Sequence, residues 1–205
     1  MQPEDTATAI ATRLGTVTPQ GKRRMIALVG PPASGKSTLA EMVASNLPDA
    51  CVVPMDGFHL DDRLLKARGL LDRKGAPDTF DVSGLIHLIT RLKNEDEVIF
   101  PVFDRHNEHS IAGAGIVGAE TRTVIVEGNY LLLDAPGWRA LSDLWDFSVL
   151  LDVPLATLRK RLMARWADHG YSEEDAAHKT DTNDLPNARA VTERALKADM
   201  VIDNA

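Results

Sequence analysis

The stretch RMIALVGPPASGKST, Arg24 to Thr38, constrains this chain more than any other. An apolar run ends at Gly30, and Gly35 follows five residues later, directly before Lys36, Ser37 and Thr38. Gly30, Gly35, Lys36 and Ser37 fit G-x-x-x-x-G-K-[ST], with strand-like sequence before the motif and helix-like sequence after it. Each part has a physical task. Glycines let the backbone curl around a phosphate and aim N–H groups at it. A helix N-terminus adds positive potential. Lys36 is expected to reach the β- and γ-phosphates of ATP and Ser37 to ligate Mg²⁺, with Pro32, Ala33, Ser34, Gly35 and Thr38 completing the cradle.

The rest of the chain alternates helix and strand signals. Helices are expected over 4–14, 39–47 and 155–166, and around Leu85, Leu88, Ile89 and Leu92, whose spacing makes one buried face. Strands are expected over 24–29, 52–55, 98–103, 124–126, 147–153 and 200–202. This pattern predicts an α/β fold, a doubly wound and mostly parallel sheet between helices, as one domain over residues 1–205. Ligands of such sheets sit beyond the carboxyl ends of the strands. Two acids fall there. Asp56 follows the run VVPM and is expected to orient and deprotonate an acceptor hydroxyl. Glu127 follows TVIV and is expected to hold the Mg²⁺ shell.

Bulk composition narrows the class. Hydrophobic residues make up 44% and charged ones 26%, ordinary for a globular protein. A net charge of -7 argues against a nucleic-acid or anionic-membrane surface. Cys51 is the single cysteine and reads as core filler; with six scattered histidines it gives no zinc-ligand spacing. The N-terminal stretch carries no signal-peptide pattern and no apolar run approaches a membrane span, so a cytoplasmic location is the expectation. Two other matches are weak. GAGIVG, 113–118, fits G-x-G-x-x-G but lacks a preceding strand and reads as a flexible hairpin or loop. DVSG, 81–84, fits D-x-x-G but precedes a helix, and no N-K-x-D follows to read guanine.

LRKRLMARW places Arg159, Lys160, Arg161 and Arg165 on one helix. Arg161 and Arg165 are four apart, away from the Leu155–Leu158–Leu162 stripe, and are expected to clamp a transferring phosphoryl group. Residues 159–184 are expected to form a closing lid. Asp56, His59, Asp104, Arg105, Asn129 and Tyr130 are the expected acceptor set. Polar groups of this kind suit a ligand rich in hydroxyls, although Arg105, His106 and His109 equally suit an acid. Asn183 to Arg189 is the candidate adenine contact.

The ordered combination GPPASGKST, MDGFH, RKGAPDTFDVSGLIHLI, PVFDR, VIVEGNYLLL, RLMARW and ADMVID resembles the phosphoribulokinase/uridine kinase branch of P-loop kinases, near the type I pantothenate kinases. PVFDR with VIVEGNYLLLD and NDLPNA is most similar to a bacterial subgroup of fructokinases or sugar-transport-associated kinases. The resemblance implies phosphoryl transfer from ATP to a small-metabolite hydroxyl. Fructose or a related sugar comes first, then pantothenate, then uridine. It also implies Asp56 as base, Asp104 at the acceptor, Arg161 and Arg165 on the lid, Glu127 at the metal, and a homodimer. A P-loop ATPase switch without an acceptor is the rival class. The chain departs from uridine kinases in lacking a base-stacking aromatic set beside PVFDR. It departs from pantothenate kinases in lacking their tyrosine-rich continuation.

Overall fold

The computed structural model describes residues 2–204. Helix α1 (Pro3–Leu14) leads into strand β1 (Arg24–Val29), the phosphate-binding loop and α2 (Lys36–Ser45). Strand β2 (Ala50–Pro54), a 3₁₀ turn over Met55–Phe58, α3 (Asp62–Ala67) and α4 (Val82–Asn94) follow. Next come β3 (Val98–Asp104), β4 (His109–Val117), β5 (Thr123–Gly128) and β6 (Phe147–Asp152). The chain closes with α5 (Leu155–Asp168), α6 (Glu173–Lys179), a π turn over Thr180–Asp184, α7 (Leu185–Glu193) and β7 (Met200–Asp203).

Five strands form one parallel sheet in the order β2-β5-β1-β6-β7. Helices cover both faces, so its central strands are apolar on both sides. Along β1, Met25, Ala27 and Val29 join a cluster with α4 and Trp138. Ile26 and Leu28 point the other way, into a cluster with Ala7, Ile10, Ala11 and Leu14 of α1 and with α2. The expected three-layer α/β fold is what the chain adopts.

One expected strand does not join that sheet. β3 pairs antiparallel with β4 in a separate ribbon. Residues 113–118, expected as a flexible hairpin or loop, are therefore strand as far as Val117. The glycines of GAGIVG serve packing: a Cβ on Gly115 would strike the Phe100 ring, and Gly113 takes a left-handed φ of 72° where the ribbon is irregular. The D-x-x-G match is a helix start, with Asp81 accepting a hydrogen bond from the Gly84 N–H at 2.9 Å to cap α4. Cys51 is half-buried and packs on the core as expected, its thiol pushed up to about 11 by burial.

The end of the sheet opposite the phosphate loop is fastened by a residue with no motif. Arg23 is 2% exposed. Its guanidinium donates to the carbonyls of Leu92 and Glu95 at the end of α4, and to those of Asp96, Gly118 and Thr121, at 2.5–3.2 Å. All five N–H groups are used, and each carbonyl would otherwise lose water without compensation. Arg23→Leu should therefore lower stability by about 3 kcal/mol, read by denaturant unfolding. Arg23→Lys should recover little of it, because an ammonium cannot span five acceptors.

Candidate active site

The site forms where β1, β5 and β2 end level. Val29 pairs with Gly128, and Pro54 with Glu127. The chain leaves β1 into a loop whose Ala33 (φ 60°) and Gly35 (φ 86°) are both left-handed. Gly30 is required by contact: a Cβ there would lie 2.6 Å from Ser34 Oγ. The loop ends at the first turn of α2, whose leading N–H groups have no partner within the helix.

Ser37 and Glu127 meet here. The Ser37 hydroxyl donates to Glu127 Oε1 at 3.0 Å, while Glu127 Oε2 is buried and has no hydrogen-bond partner. Glu127 is 5% exposed, and burial raises its pKa, with Lys36 opposing and Asp56 adding to the rise. An unpartnered buried carboxylate oxygen beside a serine hydroxyl fits a small hard cation. Among the described residues no group of three or more His, Cys, Asp and Glu could hold a metal. A cation here would therefore draw its other ligands from phosphate and water, as Mg²⁺ does with nucleotides.

Asp56 lies in the turn after β2, next to Glu127. Two glycines hold it there. A Cβ on Gly57 would clash with the Pro101 carbonyl, and one on Gly128 would lie 2.6 Å from Met55 Cβ. The turn is thus pressed on β3 from one side and on β5 from the other. Burial works to raise the Asp56 pKa, but His59, Arg105 and Lys36 together hold it below the usual carboxylate range. Burial in turn lowers the His59 pKa, against the raising effect of Asp56. Arg105 reaches Asp56 Oδ2 from the ribbon as an ion pair, the arginine 57% and the aspartate 18% exposed.

The remaining expected residues divide. Asn129 follows Glu127, with its Oδ1 buried and unpartnered. Arg161 faces the phosphate loop, its Nη2 donating to the Asn204 carbonyl at 3.4 Å. Arg165 lies 6.0 Å over the Trp166 ring. His59 is packed between Phe80 and Phe103, at ring distances of 4.1 and 4.6 Å, with its Nδ1 2.8 Å from the Asp56 carbonyl. It braces the Asp56 turn. Asp104 holds the ribbon's turn, accepting from the N–H groups of His106 and Asn107 and from the Asn107 amide. Tyr130 is fully buried against Phe80 and Trp138, its hydroxyl donating to the Gly75 carbonyl at 2.6 Å. An acceptor cannot reach its ring. Asn183 donates to the Lys74 carbonyl at 3.0 Å, and the segment after it is helix, not a polar turn.

Asn204 belongs to no sequence motif, yet its Nδ2 donates to the Ser34 carbonyl at 2.7 Å. It stands just past the carboxyl end of β7, so the strand-end rule that picked out Asp56 and Glu127 would have found it.

The phosphoribulokinase/uridine kinase family profile matches residues 25–205. The chain belongs to this family. Its members are kinases, and so is this chain: a phosphotransferase on a P-loop fold. The crystal structure named "putative fructose transport system kinase", from Silicibacter sp. TM1040, is 49% identical, with a TM-score of 0.91 over 98% of this chain and 99% of that one. The Escherichia coli protein YggC is 36% identical over 93% of this chain and 81% of its own length. A pantothenate kinase from Leifsonia xyli is 36% identical over 69% of this chain. The matched region covers 45% of that kinase. Among the described residues no helix is long and apolar enough to cross a membrane.

The raised Glu127 pKa gives a prediction of definite sign. A carboxyl whose folded pKa exceeds its unfolded value contributes stability at low pH and loses it as pH rises through the folded value. Glu127→Gln keeps an acceptor for Ser37 and removes the buried charge. Without metal or nucleotide it should melt higher than wild type at pH 8, with the difference shrinking towards pH 4. Equal melting temperatures at pH 8 would contradict the buried, charged state assigned to Glu127.

Proposed function

We propose that this kinase transfers the γ-phosphoryl group of ATP to a hydroxyl of a small metabolite, and that the acceptor is a sugar such as fructose. The observation that carries the reading is Asp56, an ionised carboxylate between Arg105 and Lys36, one strand away from the Ser37–Glu127 pair. A hydroxyl is a poor nucleophile at neutral pH. A fixed carboxylate orients it and accepts its proton as the new P–O bond forms. In a loose phosphoryl-transfer transition state, alignment and charge stabilisation matter more than basicity. Lys36 and the loop N–H groups hold the phosphates, and Arg161 and Arg165 approach from the lid, residues 159–184. Ser37 and Glu127 hold Mg²⁺, which when bound neutralises phosphate charge.

Asp56, Arg105 and Asn129 form the acceptor set, with His59, Asp104 and Tyr130 shaping it from behind. Carboxylate, guanidinium and amide together suit vicinal hydroxyls, and the name of the 49% identical structure agrees with a sugar. Pantothenate is the second reading: Arg105 also suits a carboxylate, and the chain resembles pantothenate kinases. Uridine ranks lower, since Phe80, Phe103 and His59 stack on one another instead of facing a base. A single domain over 1–205, a cytoplasmic location and a homodimer complete the proposal.

ADP release should be followed with Mg·ATP against fructose, other hexoses and pentoses, pantothenate and uridine. One acceptor should stimulate it, and Asp56→Asn should cut kcat by about 100-fold or more while ATP affinity holds. Steady hydrolysis that ignores every acceptor and the substitution would favour the ATPase switch.

A further inference from the structure

Residues 74 and 75 are fixed from three directions. The Lys74 carbonyl accepts from Asn183 Nδ2 of the π turn at 3.0 Å. The Gly75 carbonyl accepts from the buried Tyr130 hydroxyl at 2.6 Å, and the Gly75 N–H donates to Thr79 Oγ1 at 3.0 Å. From this base the Lys74 side chain, 17% exposed, spans two elements. Its Nζ donates to Asp62 Oδ1 of α3 at 2.9 Å and to the Glu108 carbonyl at 2.8 Å, with Glu108 Oε2 3.2 Å away. An ammonium has three donors, and here it meets three oxygens. It also lies 5.3 Å over the Phe103 ring, which stacks on His59.

Glu108 closes the turn of residues 105–108 that joins β3 to β4. Its φ of 54° is left-handed, which a residue with a side chain holds only against a steric cost. Asp104 ties the start of the turn to the N–H groups of His106 and Asn107. Lys74 ties its end from outside the ribbon. Arg105 leads the same turn, and among the described residues its side chain hydrogen-bonds only to Asp56. Where a long, half-exposed arginine points is set by the backbone that carries it.

We infer that Lys74 is a positioning residue for the acceptor: by clamping Glu108 it sets the turn that aims Arg105 at Asp56, and so governs acceptor binding and not ATP binding. Its ammonium is spent on Asp62 and Glu108, so it acts through Arg105 and not as a ligand of the acceptor. The inference rests on the reading of Asp56 and Arg105 as acceptor groups of a kinase.

ADP release with Mg·ATP tests it, using whichever of fructose, other hexoses and pentoses, pantothenate and uridine stimulates release most. Lys74→Met keeps the stem on Phe103 and removes the ammonium. It should raise KM for that acceptor about 10-fold and leave KM for ATP within about twofold. Lys74→Arg keeps a charge that can reach Glu108 and should return acceptor KM to within about threefold of wild type. On an Arg105→Ala background, Lys74→Met should add less than about twofold, because its effect runs through Arg105. Unchanged acceptor KM in Lys74→Met overturns the inference. So do equal rises for ATP and acceptor, the full rise in Lys74→Arg, or losses that multiply in the double variant. If Lys74→Met does not fold, Glu108→Ala tests the clamp from its other side: acceptor KM should rise about threefold with ATP unaffected, and no rise overturns it. Wild type that no acceptor stimulates defeats the kinase reading itself.

Discussion

The site depends on the register of β1 between its neighbours. Because Val29 stands opposite Gly128, the phosphate loop starts where β5 ends, and α2 begins with Ser37 against Glu127. Because Pro54 stands opposite Glu127, the Asp56 turn begins at the same level. In a parallel sheet a slip of one residue would exchange the two faces of a strand and move these acids out of reach together. Arg23 opposes such a slip. It fastens the first residue before β1 to the end of α4 and to the loop before β5, at the far edge from the chemistry.

The two carboxylates share two positive neighbours, Lys36 and Arg105, and their pKa values are pushed in opposite directions. Glu127 is enclosed, and burial pushes its pKa up despite Lys36. Asp56 is nearly as enclosed, but His59, Arg105 and Lys36 together outweigh burial and hold its pKa below the usual carboxylate range. Neighbouring acids whose environments push them apart divide roles at an active site. In the proposed reaction Glu127 would hold a cation and Asp56 would face the hydroxyl. Of the two, Asp56 carries the direct ion pair with Arg105, which reaches it from a ribbon outside the main sheet.

Much of this was legible in the sequence because it is local. The glycine spacing of the loop, the apolar runs before Asp56 and Glu127, and the heptad-like leucines of α4 each announce themselves within about ten residues. What escaped is non-local. PVFDR reads as another sheet strand, and only pairing with β4 puts Arg105 over Asp56. Asp104 and Tyr130 look like site residues from their position, yet a turn and the core claim their polar atoms. Gly115 sits in a segment that reads as flexible, although it marks a close approach by Phe100 of the paired strand, and Gly57 marks another by Pro101. Arg23 has no pattern at all, since its five partners lie 69 to 98 residues away.

A kinase and an ATPase differ in where the phosphoryl group goes. Phosphorus NMR of the full chain with Mg·ATP and the acceptor that best stimulates ADP release would follow its fate directly. Transfer to an acceptor hydroxyl predicts a new phosphomonoester resonance growing in step with ADP, with little inorganic phosphate. Inorganic phosphate as the sole partner of ADP, with and without acceptor, would contradict it.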